Sequence, residues 1–154
     1  MQGSILDRLI DMELDSRGGE PAQYRSITYS QLRAMVERDL ENLLNTRCFP
    51  YEIPDSCKEL RKSVLVYGLP DFTSKNPSVP SVCTELRQEI ERAIALFEPR
   101  LRNVTVRVEN PARGERRVKF RINALLKLEE ESEPVSFDTF FDSNRCEYSI
   151  NRQR

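Results

Sequence analysis

The hydrophobic positions of this chain change period at one short stretch, Leu96-Phe97-Glu98-Pro99-Arg100-Leu101. Upstream, Val82, Leu86, Ile90, Ile94 and Phe97 recur at spacings of three and four, which predicts a helix over roughly 81–97. Downstream, Val104, Val106 and Val108 alternate, which predicts a half-buried strand over 101–109. Pro99 makes the change abrupt, because it has no N–H for the helix and drives Glu98 out of the helical region. Glu98 and Arg100 then lie two apart on one side. If the register runs on unbroken, that is the side of Val104, Val106 and Val108, at the edge of the apolar face.

The same patterning organises the rest of the chain. Ser4 can cap a short first helix bearing Ile5, Leu6, Leu9 and Ile10, which is marginal alone and needs a surface to dock on. Residues 15–23, with Gly18, Gly19 and Pro21, read as a link. A helix starting near Ser30 turns Leu32, Met35, Val36, Leu40, Leu43 and Leu44 inward and keeps Arg33, Glu37, Arg38 and Glu41 wet, with Arg33 and Glu37 spaced to pair. A shorter helix is expected over 57–67, with Leu60, Val64 and Leu65 inward and Gly68 as its C-terminal cap. The proline-rich stretch after Leu69 reads as a loop, in which Phe72 is either a plug into the core, the favoured reading, or a contact for another protein. After the corner, a turn over 110–114 leads to a strand over 116–128. There Val118, Phe120, Ile122, Ala124, Leu126 and Leu128 share one face, and Arg117, Lys119, Arg121, Asn123 and Lys127 the other. Further extended pieces follow over 134–141 and around Tyr148 and Ile150. The expected fold class is therefore α+β, with N-terminal helices packed on a small, mainly antiparallel sheet of three to four strands. Residues 1–23 form a helical arm and linker, and 24–154 a single domain.

Composition narrows the chemistry. The 154 residues carry 38% hydrophobic and 32% charged side chains and a net charge of −1, a globular composition with no general pull toward nucleic acid or membranes. No apolar run approaches the ~18 residues of a membrane span, and the start lacks the basic-then-apolar pattern of a signal peptide, so a cytoplasmic location is expected. Histidine is absent, which removes histidine-based nucleophile pairs and acid–base catalysis as well as most transition-metal sites. The four cysteines, Cys48, Cys57, Cys83 and Cys146, are scattered without a Cys-x-x-Cys pair and are expected as free thiols. None of the five glycines falls in a phosphate-cradling pattern. Charge is segregated in the second half. Nine Lys or Arg stand against Glu109 and Glu115 between Pro99 and Leu128, and seven Asp or Glu against Arg145 from Glu129 to Glu147. The ordinary fate of such runs is a solvated face. The functional alternative is a basic sheet face docking on an acidic protein surface.

Two readings of Glu98 and Arg100 are open from the residues alone. In the local one, Arg100 offsets the negative end of the helix and Glu98 pairs with a nearby cation. In the other, the pair is presented to partner subunits, where Arg and carboxylate make directional contacts.

Five segments, taken together and in order, carry a resemblance. They are Ser4-Ile5-Leu6-Asp7-Arg8-Leu9, Asp39-Leu40-Glu41-Asn42-Leu43-Leu44-Asn45-Thr46-Arg47, Ser63-Val64-Leu65-Val66-Tyr67-Gly68-Leu69-Pro70-Asp71-Phe72, Phe97-Glu98-Pro99-Arg100-Leu101 and Pro134-Val135-Ser136-Phe137-Asp138-Thr139. The chain resembles the TssE family of type VI secretion baseplate wedge subunits, and is similar to the wedge protein that starts sheath assembly in contractile-tailed phages. The resemblance implies a structural subunit without enzymatic activity or cofactor, at the cytoplasmic side of the inner membrane. It implies TssF, TssG and TssK as wedge partners and the TssB/TssC sheath as the structure it templates, with no nucleic acid and no membrane insertion. Glu98, Pro99 and Arg100 correspond to the family's signature and are the implied partner-binding residues. Leu6, Leu9 and Ile10 are expected to dock the first helix into the wedge, and the sheet to accept extended arms from the sheath along an open edge. Two other classes remain as alternatives. A lysozyme-like peptidoglycan hydrolase needs two carboxyl groups flanking the bond, and no spacing among the 25 acidic residues singles out such a pair. A small adaptor or anti-adaptor of the same fold would bind a regulatory protein and need no sheath.

Overall fold

The computed structural model describes residues 28–50, 53–54, 56–72, 75, 79–109, 117–128, 131–142 and 147–151. The expected first helix with Leu6, Leu9 and Ile10, and the link after it, lie outside these residues.

Helix α1 spans Tyr29–Asn45. It starts at a capping box, in which the Thr28 hydroxyl accepts from the Gln31 N–H and the Gln31 side chain accepts from the Thr28 N–H. Leu32, Val36, Leu40, Leu43 and Leu44 are buried, and Arg33 reaches Glu37 at 3.2 Å on the wetter side. Helix α2 spans Pro80–Phe97, with a proline in its first turn, where no N–H partner is lost. It buries Leu86, Ile90, Ala93 and Ile94. Among the described residues no helix is long and apolar enough to cross a membrane.

Among the described residues four strands follow: β1 (Leu101–Glu109), β2 (Arg117–Lys127), β3 (Ser132–Asp142) and β4 (Glu147–Ile150). They form one antiparallel sheet in the order β1-β2-β3-β4. The alternation read from β2 holds, since Val118, Phe120, Ile122, Ala124 and Leu126 are all buried. They join Val135, Phe137, Phe141, Tyr148 and the helix residues in one core. The arrangement is α+β, with both helices contributing to the core on one face of the sheet.

The segment between the helices departs from expectation. Instead of one helix over 57–67 there are two single 3₁₀ turns, Leu60–Lys62 and Val64–Val66. Leu60, Val64 and Leu65, expected inward, are exposed, Val64 at 81%. Ser63 is the cause. It sits extended between the turns, its hydroxyl accepting from the Leu65 N–H and donating to the Leu60 carbonyl, and so breaks the ladder a continuous helix needs. The segment is held instead by backbone bonds to the end of α1: Cys48 N–H to Leu69 O at 3.0 Å, Phe49 N–H to Leu65 O at 2.9 Å and Leu69 N–H to Thr46 O at 2.9 Å. Gly68 (φ 104°) lets the chain press against Thr46, and Phe72 plugs the core as expected.

The second departure is in β1. Leu101 pairs with Leu126 and Arg102 with Leu125, but Thr105 pairs with Asn123, so one extra residue is accommodated between Arg102 and Thr105. Asn103 takes the strain at φ 52°, in the left-handed region that asparagine tolerates better than most residues. The register therefore does not run unbroken from Arg100 to Val108. Leu101 and Val106, five apart, both face the core.

Candidate partner-binding corner

Helix α2 ends because Pro99 follows Glu98. Glu98 still gives its N–H to the Ile94 carbonyl at 2.9 Å but has left the helical region (φ −119°, ψ 79°). Its own carbonyl accepts from the Leu101 N–H at 3.1 Å, closing a tight turn. The Arg100 carbonyl then accepts from the Lys127 N–H at 2.8 Å, so the sheet ladder begins directly at the corner.

Within this turn Glu98 and Arg100 form a two-point ion pair, Nε to Oε1 at 2.6 Å and Nη2 to Oε2 at 2.5 Å. Arg100 Nη2 also meets Asp39 Oδ2 of α1 at 2.6 Å. Asp39 is held in turn by Arg38, Nε at 3.0 Å and Nη2 at 2.8 Å from Oδ1. Four alternating charges thus tie α1, the end of α2 and the start of β1 together. Burial opposes the charge on Arg100, but the hydrogen bonds and proximity of Glu98 and Asp39 outweigh it and push its pKa up. Beside them, burial and then the charges of Asp39 and Glu98 raise the Tyr67 pKa.

The corner brings Glu98, Pro99 and Arg100 together and displays them unequally. Glu98 is buried (4% exposed), Arg100 is half-buried and Pro99 is exposed. Glu98 does pair with a nearby cation, and that cation is Arg100. The carboxylate owes its burial to this turn rather than to strand alternation, because the Asn103 bulge changes the phase. Leu6, Leu9 and Ile10 are outside the described residues.

Sequence reasoning missed Asp39 as the third member. The signal was present: Asp39 lies four residues from both Met35 and Leu43, on the helix's inward stripe, where a charge needs a partner. The basic stripe of β2 is also more occupied than its composition suggests. Arg121 reaches Asp138 at 2.8 Å and Glu109 at 3.3 Å, and Lys119 reaches Glu109 at 3.1 Å and Asp138 at 3.4 Å. On the same outer face Arg102, Arg107 and Lys127 are exposed.

Comparison with known proteins is consistent with this geometry. A family model described as baseplate wedge protein gp25 matches residues 30–131, which take in α1 after Tyr29, all of α2, the corner and the first two strands. Among solved structures, a chain from "The baseplate complex from the type VI secretion system" aligns with a TM-score of 0.51 and 18% identity, covering 72% of this chain and 94% of that one. Identity that low speaks for a shared fold. No curated protein sequence matches the chain. With well over half of its length matched by the family model, the chain belongs to the gp25 family of baseplate wedge proteins.

Proposed function

We propose that this chain is the gp25-type wedge subunit of a type VI secretion baseplate, joining TssF, TssG and TssK on the cytoplasmic side of the inner membrane and templating the first ring of the TssB/TssC sheath. The observation that carries the reading is the family match across the corner and its flanking elements. The corner supplies a physical role. Glu98 and Asp39 hold the Arg100 guanidinium in one orientation, so that the exposed Pro99 between the two charged residues is presented on a rigid corner. In this reading residues 1–23 form an arm whose Leu6, Leu9 and Ile10 pack into the wedge, and 24–154 form the body that meets the sheath. The protein acts by binding, with no catalytic step.

The test is co-purification of tagged full-length protein with TssF, TssG, TssK and the TssB/TssC pair. Wild type is compared with Glu98→Ala and Arg100→Ala, each checked for native helix content by circular dichroism. The expected result is folded variants that lose a partner. Variants that bind every partner as wild type does would reduce the corner to local structure. A wild type that binds neither wedge nor sheath would overturn the assignment.

A further inference from the structure

Among the described residues six large hydrophobic side chains are exposed, and four of them, Phe49, Leu60, Val64 and Leu65, belong to the segment between the helices. They lie close together. Leu60, Val64 and Leu65 fall in the two consecutive 3₁₀ turns, and the Phe49 N–H donates to the Leu65 carbonyl at 2.9 Å. Exposed apolar side chains standing singly are ordinary, whereas four gathered at one place mark a surface that another segment covers. Charge of one prevailing sign borders them. Lys58, Arg61 and Lys62 are exposed beside the apolar residues, against a single carboxylate, Glu59.

The segment that fits this surface is apolar on one side and acidic next to it. One stretch of the chain itself has that character, and it is the stretch that needs a surface to dock on. Ile5, Leu6, Leu9 and Ile10 recur at helical spacing, and Asp7, Asp11, Glu13 and Asp15 stand against Arg8 alone. An excess of three negative charges on the arm thus faces an excess of two positive charges around the patch.

Reach favours docking within one molecule. The patch is bonded to the residues that follow α1, through Thr46, Cys48 and Phe49, and the arm joins the chain at the opposite end of that helix. With 17 residues α1 is about 25 Å long, and residues 16–27 extend to about 40 Å. The arm can therefore be laid back along α1 with slack to spare. Tethering holds it at an effective concentration on the order of millimolar, which a second copy in dilute solution does not match.

We propose that in the unassembled subunit residues 4–12 fold back onto Phe49, Leu60, Val64 and Leu65, with the arm's carboxylates meeting Lys58, Arg61 and Lys62. This seat keeps the apolar stripe of the arm from water and from other subunits until a stronger site takes it. Where the arm enters the wedge, as in the reading above, the same step bares the patch. The docking itself does not depend on that reading.

The test uses the full-length protein, with amide hydrogen exchange and resonance shifts followed by NMR and oligomeric state by light scattering. Val64→Ser changes a side chain that is 81% exposed and leaves the fold intact. It is expected to speed exchange of the Leu6–Ile10 amides about tenfold. Leu9→Ser shifts the amide resonances of Leu60–Val66 in return. Lys58→Glu combined with Lys62→Glu releases the arm as Val64→Ser does, and adding Asp7→Lys with Asp11→Lys restores its protection, a rescue that misfolding cannot mimic. The protein is a monomer throughout. Arm amides that exchange as fast in wild type as in Val64→Ser, with Leu60–Val66 indifferent to Leu9→Ser, would overturn the proposal. A wild-type dimer that Leu9→Ser dissolves would put the arm on a second copy and overturn it as well. Protection of Leu60–Val66 that arises only on adding TssF, TssG and TssK would give the patch to a wedge partner instead. Co-purification of wild type with those subunits reports separately on the wedge reading.

Discussion

Tyr67 stands edge-on against Phe97, with ring centroids 5.1 Å apart and planes at 71°. The contact seats the phenol of the inter-helix segment beside the last residue of α2, next to the buried charges of the corner. Because burial, Asp39 and Glu98 all disfavour a phenolate there, Tyr67 titrates above the ordinary tyrosine range. A pKa raised in the folded state contributes stability below the unfolded value of about 10 and loses it as pH rises through the folded value. Absorbance titration at 295 nm, with Tyr67→Phe as the subtraction, is expected to show one late-ionising phenol. In Asp39→Asn that step moves to lower pH. A step unmoved by Asp39→Asn would mean that the Asp39 charge does not reach the phenol.

Asp39→Asn also takes from Arg100 the carboxylate that α1 supplies, while Glu98 stays in place. Both ends of the Asp39–Arg100 pair are shielded from water, with 16% and 19% of the side chains exposed. A loss of roughly 1–3 kcal/mol in urea unfolding is expected, the range for a charge-assisted bond removed from a shielded site. The exposed pair Lys75–Glu85, equally short at 2.6 Å, gives the internal control. Lys75→Ala is expected to cost under about 1 kcal/mol.

Gly68→Ala tests how closely the inter-helix segment presses on α1. A Cβ there meets the Thr46 carbonyl oxygen at 2.3 Å, and the backbone φ of 104° is strained for any side chain. The Thr46 oxygen cannot retreat without losing its bond from the Leu69 N–H. Thermal unfolding of the variant is expected to show a loss of about 2 kcal/mol or more.

On the outer sheet face the acid limb of stability is set in part by Asp138. The hydrogen bond from Arg121 comes first among the influences that hold its carboxyl below the usual range; burial, next in size, opposes it, and the charges of Arg121 and Lys119 add to the lowering. A depressed carboxylate stabilises the fold above its unfolded pKa of about 3.9, and that contribution is lost as pH falls through the lower folded value. Asp138→Asn should therefore flatten the decline of stability below about pH 4 relative to wild type, measured by urea midpoints across the acid range. An unchanged slope would show that the pair contributes nothing to acid stability.

The period of the hydrophobic positions was enough to place both helices and β2, because each buries one face and long runs of repeats average out local exceptions. Phe72 was legible for a related reason: a lone large aromatic in a proline-rich loop has few other places to go. The 3₁₀ segment was not legible, since Leu60, Val64 and Leu65 carry a helical spacing while the Ser63 hydroxyl, which breaks the ladder, adds nothing to that spacing. The bulge at Asn103 was hidden because one inserted residue leaves the Val104-Val106-Val108 pattern intact and shifts only its phase against Leu101. At the corner, the pairing of Glu98 with Arg100 followed from proximity in sequence. Asp39, 61 positions away, needed the packing of α1 against the corner to appear.

The extra residue in β1 separates two kinds of geometry that a regular strand would lock together. Residues 98–100 are held by the ion cluster and the helix end, Leu101 and Arg102 pair with Leu126 and Leu125 in one phase, and residues 105–109 pair with β2 in the other. Asn103 lies between them, and its left-handed backbone makes the change of phase. A regular strand would set Leu101 and Val106 on opposite faces, so this one extra residue is what lets a single core take both.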